Sequence, residues 1–486
     1  MIKKFIRGVD SFVYKFWVVF GTIIFTLALL IKAMYNMADF PYFVLNKGVD
    51  IIMLVGILGL YLWIFKQRQE IQKKISFWML FAFWGIVGLV YIYMVPIKPF
   101  SDMKNVTEGA IAFANRDFDA ILSFGYLQNI SKNLKVALFY GIIGTMLPKS
   151  VFSFRVINVV LYLLISYFSA LILKNKGFQY TKVTFFYVAS FMPLLLYCNH
   201  VYFDLPTYCL CLIALYLYTK PNRNIKGLLG MAILLGIACC MRILALLFVI
   251  AILIDMLFDV GTKKGCNVRK NILLLLGVLL ISCTIPKVCD WVVDKSFRTE
   301  DAENESIWTL FWMGINEEEF GMMHNEIVDG TKNFDDFYKL LISRDAETNI
   351  KLFSKKIFWT WSQGTWQAQR YGFAEDAMRE EDKFLYSTPF TKHLLNNEQK
   401  LPKIVNSFCR AQYLGFFCLM VAGIWKMNDD DRTKYRVFVY LCFGTFLVLI
   451  LYEMKSRYVM HCFIAMLVLA VQGLKKLDGE LKDNRL

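Results

Sequence analysis

Long, nearly uncharged apolar blocks recur from one end of this chain to the other, and they decide what it can fold into. Crossing the hydrocarbon core of a bilayer takes about 20 residues of helix. Lipid offers backbone groups no hydrogen-bond partner, so a crossing segment must satisfy them internally. The blocks are continuous and not alternating, which points to helices. Of the 486 residues, 57% are hydrophobic and 19% charged; a soluble domain carries roughly 45–50% and about 25%. The sequence therefore predicts an all-α integral membrane protein with about twelve transmembrane helices. These fall near 16–35, 49–66, 75–95, 151–173, 183–198, 203–219, 227–241, 242–258, 270–287, 405–426, 434–451 and 456–474. The stretch 227–258 is too long for one span and short for two, and reads as two short helices meeting near Arg242.

Charge then orders the spans. With the basic N-terminus in the cytoplasm, the loops 66–74, 174–182, 220–226, 261–270 and 426–436 and the tail after Lys475 fall on the same side, and all are rich in Lys and Arg. The short loops 36–48, 199–202 and 452–456 fall opposite and carry little basic charge. This is the positive-inside asymmetry. It explains the net charge of +15 as topogenic, and no basic stripe with interleaved aromatics suggests nucleic acid. The first apolar block follows Lys3, Lys4, Arg7 and Lys15 without a small-residue cleavage site, and reads as a retained helix.

The expected organisation is three N-terminal transmembrane helices (1–95), a first extracytoplasmic segment with surface helices (96–150), transmembrane helices (151–287), a second extracytoplasmic segment (288–404), and C-terminal transmembrane helices with a cytoplasmic tail (405–486). Within the first segment, 134–147 is apolar but too short to span, and is expected to lie along the membrane or dip into it. The second carries Trp308, Trp312, Trp359, Trp361 and Trp366. Tryptophan favours the interfacial layer, so this segment is expected to rest on the membrane.

Most of the 12 cysteines sit in apolar blocks, where thiols act as small hydrophobes. Cys209 and Cys211 form a C-x-C with no second pair at metal spacing, and no disulfide framework is expected. His200, His324, His393 and His461 stand singly, so no metal site is expected from them.

Candidate chemistry gathers on the side opposite the basic loops. Asp102 follows the third span. Ser101 and Asp102 fit a helix N-cap, while a carboxylate at that depth can also meet a membrane-embedded substrate. Asp204, with Pro206 behind it, is likewise either a helix start or a functional carboxylate facing a cavity. Arg242, between two short helices, is either a snorkelling side chain or a bidentate phosphate ligand. Arg155 is a further cation near the same face. The last turn of that side, 452–458, holds Glu453, Lys455, Arg457 and Tyr458. The positive-inside bias works against cations there, which favours a functional use. Glu317, Glu318 and Glu319 read as a solvated acidic run.

In order, these features resemble the GT-C superfamily of polyprenyl-phosphate-sugar glycosyltransferases, nearest the protein O-mannosyltransferase group and the bacterial aminoarabinose transferases of lipid A. The resemblance runs over most of residues 75–475: Asp102 after an early span, Glu108 in E-G-A-I-A, the apolar F-Y-G-I-I-G, Arg155 in F-R-V-I-N, Asp204 and Pro206 in F-D-L-P, Arg242 in its hairpin, and Arg457 and Tyr458 in S-R-Y. Met103 stands where the family often has a second carboxylate, which argues against a paired-carboxylate metal site there. Gly314 to Asn316 and W-S-Q-G-T-W (361–366) resemble Gram-positive members only loosely.

The resemblance implies transfer of a sugar, with inversion, from a polyprenyl-phosphate donor to an extracytoplasmic glycan, lipid or protein acceptor of the cell envelope, in the plasma membrane. It implies Asp102 as general base, with Asp204 orienting the acceptor or holding its loop. Arg242, Arg457, Lys455 and Arg155 would bind the donor phosphate, and Glu108 and Tyr458 the acceptor or sugar. It fixes no cofactor; a divalent cation is compatible with it. The rival readings are a lipid-linked sugar flippase or transporter, a polysaccharide polymerase or ligase, and a structural membrane subunit. No internal repeat is visible, and the candidate charges lie at one face instead of the midplane, which favours the enzyme.

Overall fold

The computed structural model describes residues 2–35, 41–222, 224–262, 268–299, 306–317, 321–322, 332–368, 383–396 and 400–483. Glu318, Glu319 and His324 lie outside the described residues. Among those described, the chain is helical apart from one antiparallel hairpin, β1 (Ile31–Tyr35) and β2 (Pro41–Leu45), with Ile31 opposite Leu45, and an isolated bridge between Ile97 and Phe384. Eight helices among the described residues are long and apolar enough to cross a membrane: Gly8–Leu30, Gly48–Lys66, Phe77–Met94, Val151–Asn175, Ile272–Phe297, Leu401–Trp425, Asp429–Leu451 and Ser456–Gly479. The chain is an all-α, multi-pass membrane protein. Of the other expected spans, one is a pair of short helices, Thr181–Ala189 and Met192–Asn199, bent by 60°. The rest are helices of 16 or 17 residues, Asp204–Thr219, Ile225–Met241 and Leu246–Thr262.

Local signals set several ends. Ser150 caps Val151–Asn175 by accepting from the Ser153 amide at 3.2 Å. Gly177, at φ +84°, closes the same helix: Phe178 N–H reaches the Leu173 carbonyl and Gly177 N–H that of Lys174, both at 2.9 Å, the paired bonds of a Schellman motif. Asn224 caps Ile225–Met241, whose far end breaks at an extended Arg242 before a 3-10 turn at Ile243–Ala245.

Two compact units emerge. The first comprises 1–63, 305–369 and 403–486; the second comprises 64–304 and 370–402.

In the first unit, the helices Lys400–Trp425 and Phe463–Asp483 pack backbone to backbone. A Cβ on Gly423 would run into the Leu469 carbonyl, and one on Gly473 into that of Leu419. Small residues of this kind let membrane helices approach closely. Trp17, Phe20, Trp361 and Phe446 form an aromatic core, with Trp17 and Trp361 centroids 5.3 Å apart and Phe20 and Phe446 4.7 Å apart. Two expectations are corrected here. The helix expected over 16–35 ends at Leu30, and 31–35 is a strand. The exposed carbonyls of that helix end are met from far along the chain: Arg410 donates to Ala28 and Ile31 at 2.6 and 2.9 Å, and the Asn46 amide to Leu30 at 2.9 Å. Trp359, Trp361 and Trp366 are not interfacial anchors but fully buried core residues. Trp359 also donates its indole N–H to the Met34 carbonyl at 3.1 Å, the partner a buried indole requires.

The second unit is built around Val151–Asn175, packed against Phe77–Met94, Thr181–Ala189 and Asp204–Thr219; the last carries Ile225–Met241, which in turn carries Val268–Phe297. Beside them, Ser101–Ala114 and Ser131–Gly144 pack as a pair, close enough that a Cβ on Gly141 would press on Phe113 and the Ala110 carbonyl. Leu134, Val136, Ala137 and Tyr140 are buried in this core, so much of the apolar character of 134–147 serves protein packing. Val268–Phe297 continues past the expected end at 287. Its terminus is held by Gln128, which donates to the Phe297 carbonyl at 2.9 Å and accepts from the Thr299 amide at 2.9 Å.

Candidate functional site

Asp102 is the second residue of Ser101–Ala114, directly after Ser101 at φ +48°. Left-handed backbone at a non-glycine residue costs of order 1–3 kcal/mol and clusters at functional positions. The helix has no side-chain cap hydrogen bond at its N-cap residue, Phe100. The carboxylate is half-buried and bracketed by two phenols: Oδ1 accepts from Tyr126 Oη at 2.5 Å and Oδ2 from Tyr202 Oη at 3.0 Å. Tyr126 Oη also accepts from Asn133 Nδ2 at 2.8 Å. The backbone of 198–202 is fastened in turn. Tyr140 Oη donates to Asn158 Oδ1 at 2.5 Å and lies 3.2 Å from the Tyr202 carbonyl, while Asn158 Nδ2 donates to the His200 carbonyl at 3.0 Å.

Asp204 and Arg242 form a buried ion pair, 1% and 5% exposed. His200 Nδ1 lies 3.4 Å from the other Asp204 oxygen, and the Arg242 guanidinium sits 4.4 Å over the Phe203 ring. Phe203 is itself 4.0 Å, centroid to centroid, from Tyr202. The helix N-cap there is Phe203, with no side-chain cap bond, so Asp204 serves Arg242 and not the cap reading. Arg242 correspondingly does not snorkel. Arg155 is buried and donates to the carbonyl of Ile97, in the segment leading to Asp102. Glu108 is half-exposed and faces Lys104 at 3.9 Å, a weak surface pair on the same helix as Asp102.

In the first unit, the turn 452–458 is a buried polar knot. Glu453 binds Lys455 at 2.5 Å and accepts from the Tyr458 hydroxyl. Burial alone would push its carboxyl up, but Lys455, the Tyr458 hydrogen bond and Arg457 together hold it below the usual value. Arg457 is 7% exposed, its guanidinium 5.8 Å from the Tyr458 ring. Lys356, wholly buried, donates to the Gly314 carbonyl at 2.5 Å. Burial drives its ammonium well below the usual lysine value, with Glu453 opposing. The two loosely placed segments of 288–404 arrive at this turn. A Cβ on Gly314 would collide with the Leu451 carbonyl, and Ser456 Oγ donates to Gln363 Oε1 at 2.8 Å. Trp366 and Gln367 are both left-handed, at φ +56° and +59°.

The second unit holds an oriented carboxylate, Asp102; the first, taken by itself, holds Arg457 and Lys356 buried near Glu453. Sequence reasoning missed Tyr126, Tyr202, Asn158 and Lys356. The Y-F-D of 202–204 was in view, but no spacing rule ties Tyr202 to a carboxylate 100 residues earlier. No group of three or more His, Cys, Asp or Glu side chains able to hold a metal ion occurs among the described residues. No protein-family model, curated protein or solved structure matches the chain.

Proposed function

We propose that the chain is a glycosyltransferase of the plasma membrane that moves a sugar from a polyprenyl-phosphate carrier to an extracytoplasmic acceptor hydroxyl. In this reading both termini are cytoplasmic, and the shorter apolar helices complete a set of twelve crossings. The observation that supports it most directly is Asp102, presented by a left-handed Ser101 and bracketed by Tyr126 and Tyr202.

Asp102 takes the proton of the acceptor hydroxyl as that oxygen bonds to the anomeric carbon. The bond from that carbon to the phosphate oxygen breaks on the opposite side, and polyprenyl phosphate departs with the electron pair, which inverts the anomeric centre. A base needs hydrogen-bond reach to that proton. The departing phosphate develops negative charge, which cationic side chains would stabilise. Arg242 and Arg155, engaged by Asp204 and by the Ile97 carbonyl, are assigned to positioning. Glu108, on the helix that carries Asp102, remains the candidate for sugar or acceptor contact.

The 60° break between Thr181–Ala189 and Met192–Asn199 favours a second reading, a lipid-linked sugar flippase, because transporters use broken helices. One experiment separates the two. Purified protein in gradient-free vesicles is given synthetic polyprenyl-phosphate hexoses and pentoses together with hydroxyl-bearing envelope glycan, lipid and peptide acceptors, and release of polyprenyl phosphate is measured. Turnover without a gradient is expected, falling by about 10²–10⁴-fold in Asp102→Asn. An Asp102→Asn variant as active as the parent would defeat the assignment.

A further inference from the structure

The helix Phe334–Ile342 is set firmly by a capping box: Asn333 accepts from the Asp336 amide at 3.0 Å, and Asp336 accepts from the Asn333 amide at 2.9 Å. At 100° per residue, its apolar side chains Leu340, Phe337, Leu341, Phe334, Tyr338 and Ile342 fill one continuous arc. Asp335, Lys339 and Asp336 fill the remainder. Among the described residues, protein covers one side of the arc. Phe337 is buried against Trp308 and Phe311, with centroids at 5.7 and 5.9 Å. The other side is open: Phe334, Tyr338 and Ile342 are 48%, 50% and 60% exposed, and Ile307 beside them is 39% exposed.

The depth of this stripe follows from its neighbours. Phe311 packs edge-on against Tyr452 at 5.4 Å. Tyr452 is the residue at which the membrane-crossing helix Asp429–Leu451 ends. Two ring contacts therefore join the Phe334–Ile342 helix to the point where a span leaves the hydrocarbon. Tyr and Phe facing outward at that level match the chemistry of the lipid interface, where amphipathic aromatic rings settle. A second protein is a poor occupant, since four side chains fall far short of the roughly 20–30 residues per side in a stable interface.

We propose that Phe334–Ile342 lies in the bilayer interface as a monotopic helix, with Phe334, Tyr338 and Ile342 inserted at the boundary between headgroups and acyl chains. It would fasten the segment that carries Lys356 and Gln363 to the membrane independently of any reaction.

The test is photolabelling of the full-length protein in phosphatidylcholine vesicles containing a diazirine-bearing phosphatidylcholine, with adducts mapped by mass spectrometry. Adducts on Phe334, Tyr338 or Ile342 are expected, alongside those on Asp429–Leu451. Labelling of Asp429–Leu451 with an unmodified 332–344 peptide overturns the proposal, as does a cross-link through 332–344 joining two copies of the chain. In the triple variant Phe334→Gln, Tyr338→Gln, Ile342→Gln, loss of adducts from 332–344 with labelling of Asp429–Leu451 retained supports insertion. Adducts that persist there contradict it. If the variant fails to insert, the wild-type map decides alone.

Discussion

Tyr202 donates its hydroxyl to Oδ2 of Asp102 at 3.0 Å, across 100 residues of sequence. With Tyr126 on Oδ1, this bond sets the plane of the carboxylate. Each carboxylate oxygen can accept more than one hydrogen bond, so an incoming hydroxyl can share an oxygen with a tyrosine.

Tyr202→Phe and Tyr126→Phe should each remove one donor while keeping the ring. A hydrogen bond to a charged group is worth about 1.5–3 kcal/mol, so each variant should slow transfer by about 10- to 100-fold. The loss should appear in kcat more than in KM, because the tyrosines orient the base and do not bind the donor. Steady-state kinetics on the vesicle-reconstituted protein checks this; unchanged kcat in both variants would remove the tyrosines from the mechanism.

Asp204→Leu should destabilise the second unit by about 3–5 kcal/mol, because it strands the Arg242 guanidinium in a buried site. Adding Arg242→Met should recover most of that loss, since a hydrophobic pair tolerates burial better than a lone charge. Thermal unfolding of the two single variants and the double variant in detergent closes the cycle. Additive losses would mean the pair is not coupled.

Lys356 makes stability depend on pH in the alkaline range. Its folded-state pKa lies well below that of the unfolded chain, because burial disfavours the ammonium. Between the two values the unfolded state binds more protons, so stability rises with pH and levels off near the unfolded lysine value of about 10.4. Lys356→Met should remove that part of the slope, leaving a protein more stable than the parent near neutral pH. Unfolding midpoints measured from about pH 7 to 10 test it, and parallel profiles for parent and variant would refute it.

Gly423→Leu should separate Lys400–Trp425 from Phe463–Asp483, because a side chain there meets the Leu469 carbonyl and not a flexible tip. Overpacking of this kind costs typically about 1–3 kcal/mol. A lower unfolding temperature in detergent is expected. Gly56→Leu, on a helix where a Cβ meets nothing within 4 Å, is the control that should leave it unchanged.

The membrane class, the positions of the apolar helices and the break at Arg242 were legible because each depends on residues adjacent in the chain. Apolar runs set the helices, and a polar residue between two short apolar runs marks a discontinuity. What Arg242 does was not legible. Its partner Asp204 sits 38 residues away, and one guanidinium reads alike as snorkelling, phosphate-binding or ion-paired until that carboxylate is located. The tryptophans of 359–366 show the same limit, since amphipathic rings suit either a lipid interface or a core, and only the packing of Trp17 against Trp361 decides between them. Periodicity and hydropathy act over one or two helical turns. Charge pairing, ring contacts and the trans-capping of Leu30 by Asn46 join distant segments, and these exist only once the helices have packed.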